Sequence, residues 1–181
     1  MRLKSILLRK EGSTPQEIAK RLMVTDLITR AYAFSMQCHG GQLYDTDHPY
    51  IWHVLDVARR LRPLGAKYEI VGVLHDTIED TDTTLAEIES LFGAAVAAGV
   101  EAMTRREGER YFKEYLPRVM ENDLARVVKF ADSTDNLFRT HLIRDPEYRQ
   151  KKVRKFTRVL TTLDPLLPRE IIRIIRSFAL M

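Results

Sequence analysis

The chain has 181 residues, 45% apolar and 30% charged, which suits one soluble globular domain with a single buried core. Its formal charge of +4 is too small to argue for nucleic acid as a partner. The single cysteine, Cys38, excludes an intrachain disulfide framework, and the apolar patch Ile6 to Leu8 is too short for a signal peptide or a membrane span. These features predict a cytoplasmic protein with no membrane partner.

Thr14-Pro15-Gln16-Glu17 has the form of a capping box with proline at the first helical position, opening a short helix to about Leu22. Residues 1–24 are thus expected to be an N-terminal helical extension and 25–181 the main domain. A second helix is predicted from about Thr25 to Cys38, in whose apolar run Cys38 reads as a small buried residue. It ends at His39-Gly40-Gly41, because glycine suits the left-handed residue beyond a helix C-terminus. Residues 40–50, with Asp45, Asp47 and Pro49, read as a polar loop. The next helix, about Ile51 to Arg62, shows Leu55, Ala58 and Leu61 on one face, and Pro63 and Gly65 break it.

Tyr68 to Ile78 is the most apolar stretch (Ile70, Val71, Val73, Leu74) and is predicted to be the centre of the core. A second capping box, Thr84-Leu85-Ala86-Glu87, opens a helix that stops at Gly93. Further helices are predicted over about 94–104, 109–121, 124–135, 146–163 and 168–179. Arg149, Lys151, Lys152, Arg154, Lys155 and Arg158 read as the solvated face of one of them. No alternating runs bounded by hairpin turns indicate strands. The expected fold class is all-α, a compact single-domain helical bundle.

The segment Val73-Leu74-His75-Asp76-Thr77-Ile78-Glu79-Asp80-Thr81 crowds four ionisable groups at the polar end of an apolar helix. In an unbroken helix His75 and Glu79 share one face, and Asp76 and Asp80 the adjacent one. Carboxylates there oppose the macrodipole, at roughly 0.3–1 kcal/mol each when exposed. A divalent cation would offset that crowding. His53, near the start of its helix, and Asp132, after the apolar run Val127 to Ala131, supply further ligand types. Taken singly, His53 reads as a packed core histidine and Asp132 as a cap. Taken together with His75 and Asp76, all four close apolar segments and can converge at one end of a bundle. Such a nitrogen and oxygen set suits Mn²⁺, Fe²⁺ or Zn²⁺ better than Ca²⁺.

The spaced motifs go further. His39-Gly40-Gly41-Gln42, Pro49-Tyr50-Ile51-Trp52-His53, Leu74 to Thr81, Phe92-Gly93, and Lys129-Phe130-Ala131-Asp132 with Asn136 resemble the HD superfamily of metal phosphohydrolases. Within it they most resemble the hydrolase domain of RelA/SpoT proteins and the stand-alone small alarmone hydrolases, including the metazoan SpoT homologue. The resemblance covers about residues 25 to 160. It implies an HD-type phosphohydrolase domain that holds Mn²⁺ through His53, His75, Asp76 and Asp132. It implies that Glu79 and Asp80 handle the protons of water and leaving group, and that Asn136 contacts the nucleotide. The implied reaction removes the 3′-pyrophosphate of guanosine tetra- or pentaphosphate.

This chain departs from the pattern at two places. Tyr44-Asp45 stands where the family usually has a basic pair, one member of which stacks on guanine. Tyr44 can still stack on a purine, whereas Asp45 reverses the local charge. Asp132-Ser133-Thr134-Asp135-Asn136 replaces Asp-Arg-Leu-His-Asn, keeping the ligand and the asparagine. The base is therefore left open between guanosine and adenosine. Arg105 or Arg106 can neutralise a pyrophosphate, or their segment is a solvated loop; Lys129 and Arg139 are weaker candidates. His48 and His141 are given no role. Two further functions stand beside the alarmone hydrolase: a phosphomonoesterase acting on a nucleotide or NADPH, and a non-catalytic nucleotide-sensing module, against which the full set of ligand and acid–base residues counts. The expected partner is a small nucleotide, with homo-oligomerisation left open. No synthetase domain is expected, since the sequence ends about where a hydrolase core would.

Overall fold

The computed structural model describes residues 15–44 and 47–177, with only the backbone course given for 15–22. Thr14 of the first capping box, and Asp45, lie outside the described residues. Among those described the regular structure is helical, apart from an isolated bridge between Leu43 and Pro49. The all-α expectation holds.

Helix α1, Pro15–Cys38, is continuous where the sequence predicts two helices meeting near residue 24. No glycine or proline lies between Pro15 and Gly40, so nothing there ends it. Cys38 is half-buried against Thr83. Helix α2, Ile51–Leu61, runs into the 3₁₀ turn Arg62–Leu64 that Pro63 imposes, and Gly65, at φ 114°, resets the chain for α3, Ala66–Leu74. Helices α2 and α3 approach closely at Gly72: a Cβ there would meet Leu61 Cδ1 at 2.5 Å.

The apolar stretch predicted as one helix to Ile78 is broken. Helix α3 stops at Leu74, and a single turn, α4, Thr77–Asp80, follows a bend at His75 and Asp76. Side chains take up two carbonyls from the end of α3: His75 Nδ1 bonds the Gly72 oxygen at 2.8 Å, and Thr77 Oγ1 donates to the Leu74 oxygen at 2.7 Å.

Helix α5, Leu85–Phe92, has the predicted capping box at Thr84 and Glu87, and α6 is Ala94–Met103. A π-helical turn, Tyr111–Tyr115, leads into α7, Leu116–Glu121. Helix α8, Asp123–Arg139, is capped by the Asn122 side chain on the Ala125 amide and passes four residues beyond its predicted end at 135. Helices α9, Pro146–Leu163, and α10, Arg169–Ser177, complete the bundle.

Helix α3 packs on α1, α2, α6 and α8, so the predicted centre of the core is the observed one. Val54, Leu61, Leu74, Val128 and Phe130 are wholly buried around it, each worth about 1.5–3 kcal/mol of burial. Among the described residues no helix is long and apolar enough to cross a membrane.

Candidate metal centre

Three separate elements deliver the four predicted ligands to one place. His53 comes from the first turn of α2, His75 and Asp76 from the bend between α3 and α4, and Asp132 from α8. His53 Nε2 lies 3.2 Å from Asp132 Oδ1 and 3.9 Å from Asp76 Oδ2. His75 Nε2 lies 2.8 Å from Asp76 Oδ2 and 3.7 Å from Asp132 Oδ1. Ligand atoms of His53, His75 and Asp76 all fall within 4.8 Å of one another, a spacing that one metal ion can bridge.

Protons decide what this cluster can hold. A carbonyl only accepts, so the bond from His75 Nδ1 to Gly72 puts a proton on Nδ1. The buried Nε2 of the same ring makes no hydrogen bond, although a carboxylate oxygen stands close by. Its lone pair and the aspartate oxygens therefore face a common point, which a cation suits and apolar packing does not. His53 is prepared in the same way: Nδ1 bonds Asp135 Oδ2 at 2.8 Å, leaving Nε2 to face the centre. A carboxylate behind a ligating imidazole fixes its tautomer and raises its basicity.

The electrostatics agree. Burial, the strongest influence on both histidines, pulls their pKa values down, yet Asp132 and Asp135 leave His53 raised. Asp76 and Asp132 leave His75 well above its ordinary value. Burial pushes Asp76 up, but the charge of His75 holds it below the carboxylate range. Asp132 is likewise held well below by Lys129, whose Nζ is 2.9 Å from Oδ2, and by the two histidines. The buried carboxylates thus demand positive charge, met by protons on the imidazoles or by a metal ion.

Asp132 is not at the end of a segment, as its apolar lead-in predicts. It sits in the body of α8, because the polar residues after it are also buried and paired. Asp135 accepts from His53, from Arg60 Nη2 at 3.3 Å and from Arg139 Nε at 2.6 Å. Sequence reasoning gives Asp135 no role. The available signal is its place three residues after Asp132 and four before Arg139, on one helix face.

The bend at His75 also separates groups that an unbroken helix would align. His75 is buried, whereas Glu79 and Asp80 lie exposed at the rim. Partial burial raises both carboxyls; the Arg105 backbone amide, donating to Glu79 Oε2 at 2.8 Å, opposes this at Glu79, and the charge of Asp76 reinforces it at Asp80. The Tyr50 hydroxyl donates to Asp76 and is kept neutral, chiefly by burial.

Beside the cluster opens a cavity of about 680 Å³, walled by Tyr44, Tyr50, Asp80, Asn136, Arg144 and Tyr148. That size suits a nucleotide. Tyr44 donates to Asn136 Oδ1 at 3.0 Å, and Asn136 Nδ2 donates to Asp132, which ties the cavity wall to the cluster. Arg105 and Arg106 are not brought to the cavity: the Arg105 guanidinium bonds the Glu109 carbonyl, and that of Arg106 bonds Glu101. His48, given no role by the sequence, stands in the cavity wall.

Residues 31–163 match the HD domain family model. This chain belongs to the HD domain family. The HD domain is 39% identical over 140 residues to the guanosine-3′,5′-bis(diphosphate) 3′-pyrophosphohydrolase of Aquifex aeolicus, covering 72% of this chain and 20% of that protein. It therefore spans about a fifth of that relative's length. The guanosine-3′,5′-bis(diphosphate) 3′-pyrophosphohydrolase MESH1 of Danio rerio is 36% identical over 125 residues, covering 62% of this chain and 68% of its own. The solved structure of a metazoan orthologue of SpoT that hydrolyses ppGpp superposes with a TM-score of 0.68 at 20% identity, covering 84% of this chain and 93% of that one. This likeness shows the fold.

Proposed function

We propose that this HD domain hydrolyses the 3′-pyrophosphate of a guanosine or adenosine alarmone such as (p)ppGpp, with Mn²⁺ as its metal. The observation that carries it is the convergence of His53, His75, Asp76 and Asp132 beside a nucleotide-sized cavity whose wall includes Asp80. The names of the Aquifex and Danio relatives support the choice of substrate. A divalent ion held by these four side chains supplies Lewis-acid stabilisation of phosphoryl charge.

The chain's own residues do the rest. Asp80, at the cavity, takes a proton from the attacking water as the new oxygen–phosphorus bond forms. Glu79, next to it in sequence, returns a proton to the 3′-oxygen as its bond to phosphorus breaks, and pyrophosphate leaves. The raised pKa values of both carboxyls suit this exchange. Asn136 contacts the sugar or a phosphate, and the Tyr44 ring offers a face to the base. Lys129 keeps Asp132 ionised.

The test incubates the protein and Mn²⁺ with ppGpp, ppApp and NADPH separately and resolves the products. Pyrophosphate from an alarmone, lost in Asp76→Ala, is the expected result and names the base. Orthophosphate alone would replace this function with a phosphomonoesterase.

A further inference from the structure

The cations of α9 contrast with the paired arginines around the core. Arg60, Arg118, Arg126 and Arg139 each pair with a carboxylate at 3.3 Å or less. Lys151, Lys152, Arg154, Lys155 and Arg158 have no ion-pair partner among the described residues. The helical spacing gathers them on one face, and with Phe112 and Tyr148 they line a solvent-open groove of about 450 Å³. Three of the five rest on aromatic faces instead of acids: Arg158 lies 4.0 Å over Phe112, Lys155 4.1 Å over Tyr111, and Lys152 5.1 Å over Tyr148. The crowding is felt at Lys155, which burial and then the charges of Lys129 and Lys152 pull down to about 8.

Two contacts join this groove to the reaction. Tyr148 and Lys152 line both the groove and the cavity that holds Asp80 and Asn136. On its other flank, Lys155 and Lys129 share the Tyr111 ring, and Lys129 is bonded to Asp132. A groove that skirts the metal centre, carries five uncompensated cations and includes two forked guanidiniums has the chemistry of a phosphoanhydride site.

We propose that the α9 groove is a pyrophosphate-binding subsite of this HD domain. The pyrophosphate group has two sources: the uncleaved 5′-diphosphate of the substrate, or the pyrophosphate released by the reaction. The link to catalysis rests on the hydrolase function proposed above; the binding itself does not.

The first measurement titrates inorganic pyrophosphate into the full chain in chelator-treated buffer, by calorimetry. Lys151, Arg154 and Arg158 are exposed, so their neutralisation leaves the fold in place. The variant Lys151→Gln/Arg154→Gln/Arg158→Gln is expected to bind pyrophosphate at least tenfold more weakly than the parent. Equal affinity overturns the proposal. Arg158→Gln alone, expected to weaken binding severalfold, serves in its place if the triple variant fails to fold.

The second measurement compares two 3′-pyrophosphorylated nucleosides, one with a 5′-diphosphate and one with a 5′-hydroxyl. A KM about tenfold lower for the 5′-diphosphate, lost in the triple variant at constant kcat, assigns the groove to the substrate arm. Equal KM values, with product inhibition by pyrophosphate weakened in the variant, assign it to the released product. If neither parameter moves in the variant, the groove has no part in the reaction. If neither nucleoside is hydrolysed, the alarmone function fails and the calorimetry alone decides the groove.

Discussion

Asp135 shows how much of the site lies behind the four side chains that converge there. It accepts from His53 and from two arginines while almost wholly buried, so its charge reaches the centre through an imidazole ring. Asp135→Asn keeps the shape and removes the charge. Its affinity for Mn²⁺, measured by calorimetry, is expected to fall about 10- to 100-fold. The convergence of His53, His75, Asp76 and Asp132 is legible in the sequence because residues of ligand type at the ends of apolar runs, in spaced motifs, are conspicuous. Asp135 is not, because a carboxylate inside the polar run Asp132 to Asn136 looks like solvated surface; only its burial reveals it. The raised histidines also set a pH dependence. Metal must displace their protons, so affinity is expected to rise with pH and level off only above the ordinary histidine value of about 6.5. In the metal-free protein the sign reverses. A raised histidine pKa contributes stability that is full below the unfolded value and lost as pH rises through the folded one. Metal-free melting temperature is therefore expected to fall above neutrality, and Mn²⁺ to remove that fall.

At the scale of elements, the bend between α3 and α4 is what makes the site. An unbroken helix would continue Leu74 into Ile78 and leave His75 in register with Glu79. Here the side chains of His75 and Thr77 satisfy carbonyls at the helix end instead. The bend is poorly legible because Tyr68 to Ile78 contains no proline, its one glycine, Gly72, lies inside α3, and the polar groups that cause it bond locally. The helix start that rests on the capping box at Thr84 is legible, since the cap chemistry is written in consecutive residues. The join of α1 across residue 24 is not, for periodicity alone does not say whether two amphipathic runs are one helix. Gly72 holds α3 against α2. Gly72→Ala is expected to destabilise the fold by about 1–3 kcal/mol in chemical denaturation, since the added methyl displaces the buried Leu61. Metal affinity is expected to drop with it, because the bend that carries His75 follows directly.

At the scale of the molecule, the all-α bundle and its core around α3 follow from apolar periodicity, while the groove on α9 does not. Five cations along one helix read as a wet face until the fold sets Phe112 beside them. Metal saturation is expected to raise the stability of the whole bundle, by about 2.7 kcal/mol at a hundred times the dissociation constant, measured as a shift in Tm with Mn²⁺ concentration. A ligand set drawn from α2, the bend and α8 has a further consequence. The side chains of His53 and Asp132 meet across roughly 80 residues of sequence, so the site exists only where distant helices have packed. The centre also cannot assemble piecemeal: a growing polypeptide has no complete ligand set until α8 has been synthesised and docked. Metal capture is therefore expected to wait until α8 has docked on α2 and the bend, late in folding.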